Sequence, residues 1–314
     1  MADKISRQPD VLVLGGGGIL GEAWMSAVLT GLEESGRVDS RACRIYLGTS
    51  AGSIVAAALA AGLAPGARLG RLPEQPPYEA PGHDDGSPLR QTLGTAFGIG
   101  GAAVAPLASL ALSSSATGGA LLRRAALRRV PKGTRSLQEL GAAVERSGVE
   151  WDGRLRVAAV ELQSGRRVIF GAAGAPALSV AAAVQASCAI PGVFRPVELA
   201  GRSYVDGGAW SPTNMDGAEA RRGELVLCLN PTGSFRPAIG SLAGAVGPVS
   251  RGVATTEALV LRHRGAEVSL VNPDDACTVA LGNNLMDGGR REGVIAAGLA
   301  QGRRLGAASL PHAA

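Results

Sequence analysis

Apolar positions along this chain come in short blocks separated by glycine-rich or polar breaks. Val11, Leu12, Val13 and Leu14 form one such block, which runs into Gly15, Gly16, Gly17 and Gly18, then Ile19, Leu20 and Gly21. Residues 22–34 carry Ala23, Trp24, Met25, Ala27, Val28, Leu29 and Leu32 on most faces of a helix, which predicts a helix buried against a sheet. Ile45, Tyr46 and Leu47 predict a second strand, broken at Gly48 and followed at once by an apolar helix over 54–63. Residues 155–162 and 168–170 predict two strands joined by a turn at 163–166. A small-residue helix is predicted over 178–186, a short strand over 202–206 and buried strands over 225–229 and 268–271. The last helix is predicted over 290–307, and no internal repeat is visible. Strand, glycine loop, helix, strand, turn, helix is the alternation of an α/β protein with a parallel sheet.

The middle of the chain follows a different pattern. Residues 64–90 are rich in Pro and Gly and predict a surface loop. Residues 91–122 contain no charge and consist mostly of Ala, Gly, Leu and Ser. The stretch is long enough to cross a bilayer, but it has few large apolar side chains and is interrupted by glycines and Pro106. A lid or cap folded over a site is the expectation, with contact to lipid as an alternative. Arg123, Arg124, Arg128, Arg129, Lys132 and Arg135 follow and suit anionic headgroups, although a solvated helix face explains them equally well. The expected organisation is one domain over 1–314 with an inserted lid or cap region at 64–135.

With 46% hydrophobic residues in 314, the chain can bury a sizeable core. The formal net charge of +5 suits an anionic surface or an acidic substrate. Nucleic acid is not an expected partner, because no basic run carries interleaved aromatics. Cys43, Cys188, Cys228 and Cys277 are scattered without metal-type spacing and predict reduced, buried thiols. The polar first ten residues do not have the pattern of a secretory leader. A cytoplasmic location, with peripheral membrane contact through residues 91–135, is the expectation.

The candidate chemistry centres on Gly48-Thr49-Ser50-Ala51-Gly52, which fits the G-x-S-x-G nucleophile elbow in its strand–turn–helix setting. Gly48 and Gly52 leave room where a Cβ would clash, and the helix N-terminus behind Ser50 favours an oxyanion. A buried hydroxyl in a tight turn is the plain alternative. The loop Gly16-x-Gly18-x-x-Gly21 also matches a dinucleotide fingerprint, but the second strand ends without the carboxylate that would hold a ribose. The loop leaves the same sheet edge as the elbow, so its amides can face a carbonyl attacked by Ser50. One such donor contributes about 3–4 kcal/mol to transition-state stabilisation. A serine nucleophile needs a base. His83 lies in the Pro/Gly-rich loop and His312 in the tail, while His263 stands between Arg262 and Arg264 on a predicted exposed helix. A Ser50–Asp206–His263 triad stays open beside a Ser50–Asp206 dyad, since Asp206 precedes Gly207 and Gly208 on a tight turn. Asp287, before Gly288 and Gly289, has the same form but precedes Arg290 and Arg291 at a helix start, where N-capping or charge pairing explains it.

Taken together, the glycine loop 15–21, the elbow 48–52 and Asp206-Gly207-Gly208, in that order, resemble the patatin-like phospholipase family. The runs 186–197 and Pro212-Thr213-Asn214 are also similar to it. The resemblance spans nearly the whole chain and is weakest over 64–135. It implies a three-layer α/β/α fold with a mostly parallel central sheet. It also implies a serine lipid acyl hydrolase that cleaves esters of phospholipids or other lipids without cofactor or metal. By position, Ser50 is the expected nucleophile, Asp206 the base, and Gly16, Gly17 and Gly18 the oxyanion donors. Leu20 stands where the family commonly has Lys or Arg. That departure keeps a catalytically weak lipid-binding protein open as a rival, beside acyl transfer in place of hydrolysis.

Overall fold

The computed structural model describes residue 5 and residues 7–70, 117–131, 133–235 and 246–307. Residues 71–116, which hold most of the expected lid and His83, lie outside the described residues, as do Lys132 and His312. In chain order the described elements are β1 (Val11–Leu14), α1 (Gly18–Glu33), β2 (Ile45–Thr49), α2 (Ala51–Ala60), α3 (Thr117–Arg129) and α4 (Gln138–Arg146). Then come β3 (Leu155–Glu161), β4 (Arg166–Phe170), α5 (Val180–Cys188), β5 (Val197–Leu199), β6 (Arg202–Asp206) and β7 (Leu225–Leu229). The chain ends with α6 (Val246–His263), β8 (Glu267–Val271), α7 (Asp275–Leu281) and α8 (Arg291–Gly306).

The strands form one sheet in which β3, β2, β1, β7 and β8 are neighbours and all parallel. Side chains alternate between its faces, and both faces are covered. Leu12, Leu14, Tyr46, Val157 and Leu227 pack against Trp24 of α1, Val55 of α2, Val184 of α5 and Val294 of α8. Val11, Val13, Ile45, Leu47 and Val226 pack on the other face against Ala254, Ala258 and Leu261 of α6. Leu127 of α3 covers Val160 and Val205 on that same face. The result is the expected three-layer α/β/α arrangement with a mostly parallel sheet.

One departure from parallel order positions the site. Ala158 pairs with Thr49 of β2 and with Ile169 of β4, while Ala159 pairs with Asp206 of β6 and with Val168 of β4. Because β4 occupies one side of β3, β2 and β6 must share the other. They run toward each other and meet end to end, β2 against residues 155–158 and β6 against 159–161. The elbow after β2 and the carboxylate that closes β6 therefore come together, although 156 residues separate them in sequence.

Elsewhere the structure sharpens or changes the sequence expectations. Helix α1 begins at Gly18, inside the glycine loop, instead of at residue 22. Helix α2 likewise begins at Ala51, directly after Ser50. Helices α4 and α7 and the short strand β5 are additional elements. Each is short, and α7 depends on a local cap in which Asp274 accepts the Cys277 N–H at 2.9 Å. Arg123 does not join the outward basic face expected of it. It is fully buried on the inner side of α3, donates to the carbonyls of Ala209 (3.2 Å) and Gly165 (3.0 Å), and stacks 4.0 Å above the Trp210 ring. Burial, with Arg167 adding to it, lowers the Arg123 pKa to about 10. Leu121, Leu122, Arg128 and Arg129 remain exposed on the outer side. All four cysteines are buried free thiols. Among the described residues, no helix is long and apolar enough to cross a membrane.

Candidate active site

The elbow is built by close packing. A Cβ on Gly48 would lie 2.4 Å from the Ser53 Cα, and one on Gly52 only 2.0 Å from the Leu14 carbonyl oxygen. Any side chain at either place would push β2, α2 and β1 apart. Ser50 sits between them with φ 51° and ψ −123°, outside the regions that side-chain-bearing residues favour. Holding such a conformation costs about 1–3 kcal/mol, so the surroundings must enforce it. Ser187 of α5 does so from one side. Its hydroxyl accepts the Ser50 N–H at 2.8 Å and donates to the Ala158 carbonyl at 2.7 Å, spanning the point where β2 leaves the sheet.

Among the described residues the Ser50 hydroxyl has a single partner. It donates to Oδ2 of Asp206 at 2.6 Å, while Oδ1 of Asp206 accepts the Gly208 N–H at 2.7 Å. Asp206 is only 3% exposed and Ser50 8%, so the pair is nearly dry. Burial pushes the Asp206 carboxyl up to about 6, against the opposing pull of the Ser50 hydroxyl and the Gly208 amide. A carboxylate with that value is ionised at neutral pH and still basic enough to receive a proton. Burial also drives the neighbouring Cys188 thiol upward, which keeps it protonated and inert.

The glycine loop lies directly over Ser50. A Cβ on Gly16 would be 3.5 Å from the Ser50 Cβ. The three candidate donors are not equivalent, however. The Gly16 N–H is committed to the Pro212 carbonyl at 2.8 Å. The Gly17 and Gly18 amides have no partner among the described residues, and they open the first turn of α1, where the helix dipole adds to them. Leu20 is fully buried and its N–H donates to the Leu285 carbonyl at 3.0 Å, so this position belongs to the core.

The other candidate residues stand apart. His263 is exposed at the end of α6 and makes no hydrogen bond with Ser50 or Asp206. Asp287 accepts the Gly289 N–H at 3.1 Å and pairs with Arg290 at 3.7 Å, the capping and charge-pairing role expected of it. Among the described residues no cluster of His, Cys, Asp and Glu has the form of a metal site.

Several residues around the dyad carry no chemistry legible beforehand. Ser187 and Asn214 fall inside the runs 186–197 and 212–214, where residue type alone predicts no role for either. Glu257 gave a more direct signal. It falls on the buried stripe of α6, with Ser250, Val253, Ala254, Ala258 and Leu261, where a carboxylate is out of place.

The glycine loop, the strained serine elbow and the buried aspartate converge at one place in this fold, which is of the three-layer α/β/α class. Within that class, the family model for Patatin-like phospholipase matches residues 12–218, and the chain belongs to this family. Among solved structures, VipD from Legionella pneumophila is similar at 16% identity and a TM-score of 0.47, covering 95% of this chain and 66% of that one. The type III effector protein ExoU is similar at 16% identity and a TM-score of 0.36, covering 95% of this chain and 52% of its own. The chain thus spans about two thirds and about half of those proteins. No curated protein matches the sequence.

Proposed function

We propose that this protein is a serine lipid acyl hydrolase that cleaves carboxylic esters of phospholipids or other lipids with a Ser50–Asp206 dyad. The observation that carries the reading is the 2.6 Å hydrogen bond from the Ser50 hydroxyl to a buried carboxylate. Ser50 Oγ attacks the ester carbonyl as its proton passes to Asp206 Oδ2. The carbonyl oxygen becomes an oxyanion facing the amides of Gly17 and Gly18. Collapse breaks the bond to the alcohol, which takes the proton from Asp206 and leaves an acyl ester on Ser50. Water then attacks that ester, giving its proton to Asp206 and its oxygen to the released acid, and Ser50 recovers its proton.

Family membership supports the lipid substrate class. The continuous sheet from β5 to β8 supports a single patatin-like domain. Residues 64–135 would form the lid or cap, and the exposed Leu121, Leu122, Arg128 and Arg129 favour peripheral contact with an anionic membrane.

Labelling by a fluorophosphonate probe tests the dyad. Wild type and Asp287→Asn should label, and Ser50→Ala and Asp206→Asn should lose at least 95% of the signal, by analogy with the ~10³-fold or larger losses typical of dismantled nucleophile–base pairs. Undiminished labelling of Ser50→Ala would refute the assignment.

A further inference from the structure

The loop after β6 touches all three parts of the candidate site. The Pro212 carbonyl holds the Gly16 N–H at 2.8 Å. Two residues on, the Asn214 side chain is fully buried and its Nδ2 faces three oxygens: Thr49 Oγ1 at 3.0 Å, the Gly207 carbonyl at 3.2 Å and the Ser211 carbonyl at 2.7 Å. Thr49 immediately precedes Ser50, and Gly207 immediately follows Asp206. One amide group therefore ties the nucleophile's strand to the base's turn, and its loop ties both to the glycine loop.

The residue type follows from this placement. An amide nitrogen offers two hydrogens, and neither carboxylate nor hydroxyl can supply that pair. Arg167, which pairs with Asp216, lies 3.5 Å from Asn214 Oδ1 and sets the amide's orientation. The backbone at Asn214 is left-handed, with φ 52°, a conformation that Asn tolerates better than most residues. Behind the loop, Glu257 of α6 accepts from the Thr213 hydroxyl and from the Met215 N–H at 2.9 Å, so it braces both neighbours of Asn214.

We infer that Asn214 is a positioning residue for the dyad: it holds Ser50 and Asp206 at reacting distance by cross-linking Thr49 to Gly207, with Glu257 bracing its loop. The inference rests on the proposed hydrolase reading. Asn214 touches neither substrate nor the transferred proton; it acts through the two residues beside them.

The test measures the second-order rate of fluorophosphonate labelling between pH 4.5 and 8, with thermal melting, for wild type, Asn214→Ala and Thr49→Val. Asn214→Ala should lower the plateau rate at least tenfold. It should also move the pH midpoint downward, because a loosened turn lets water reach Asp206. A purely structural role would lower Tm and leave the rate and midpoint of the folded protein at wild-type values, and that result overturns the inference. If Asn214→Ala does not fold, Thr49→Val decides. It removes one end of the cross-link with near-isosteric volume and should slow labelling at least threefold, whereas a wild-type rate overturns the inference. Unlabelled wild type would instead sink the hydrolase reading, so the two failures are distinguishable.

Discussion

Titrating Asp206 should change reactivity and stability in opposite directions. Its carboxyl is raised from 3.8 to about 6, first by burial. The carboxylate must be ionised to accept the Ser50 proton. From pH 7 to pH 5 its ionised fraction drops from about nine-tenths to just under one-tenth, so the fluorophosphonate labelling rate should drop about tenfold with a midpoint near 6. An aspartate at its ordinary value would leave the rate almost flat over that range. Stability has the other sign. The folded protein holds this proton more tightly than the unfolded chain, so Asp206's contribution is fully present below about 4 and is lost as pH rises from about 4 to 6. The shift corresponds to about 3 kcal/mol lost by pH 7. Glu257, raised from 4.5 to about 7 by burial and then by Asp216, acts in the same direction over a higher window. Asp206→Asn keeps an oxygen for the Gly208 N–H and removes the buried charge. Urea unfolding at pH 7 should therefore find it more stable than wild type by about 1–3 kcal/mol, with a shallower pH dependence between 4 and 6. A labelling rate that is flat from pH 5 to 7, or an Asp206→Asn protein less stable than wild type at pH 7 with unchanged pH dependence, would refute this reasoning.

Ser187→Ala should cost about 1–3 kcal/mol in urea unfolding, because it leaves the Ser50 N–H and the Ala158 carbonyl buried without their shared partner. It should also slow labelling, since Ser50 loses a restraint on its strained backbone; a wild-type rate and midpoint would count against that role. Replacing Leu121, Leu122, Arg128 and Arg129 together by Ser should abolish flotation with vesicles that contain anionic lipid. Because these side chains are exposed, melting should stay within about 2 °C, and undiminished flotation would remove α3 from the membrane-binding surface.

How much of this was legible beforehand depended on how far each interaction reaches along the chain. The apolar blocks gave β1, β2, β7 and the buried helices, because local periodicity reports burial against a sheet. Gly48 and Gly52 were legible for the same local reason, since an elbow needs small residues at fixed offsets from the serine. Short capped pieces such as α7 were not, because one Asp–amide contact decides them. Arg123 was misplaced by charge alone. A run of arginines predicts an outer face, whereas the carbonyls of Ala209 and Gly165 and the ring of Trp210 draw one of them inward.

The candidate site divides along the same line. Ser50 and Asp206 stand out because each is a reactive type on a glycine turn, but their contact required β2 and β6 to share one side of β3, a fact of topology. Gly16 illustrates the limit more sharply. Three consecutive glycines offer three equivalent amides on paper, and the Pro212 carbonyl, nearly two hundred residues away, takes one of them. The same remote loop carries Asn214 and is braced by Glu257. Residues that would do chemistry are thus marked by their own type and turn, whereas residues that set distances between them are marked only by partners far off in sequence. Substitutions at Ser50 and Asn214 should consequently differ in kind: the first removes a reacting atom, and the second leaves every reacting atom in place and changes how often they meet.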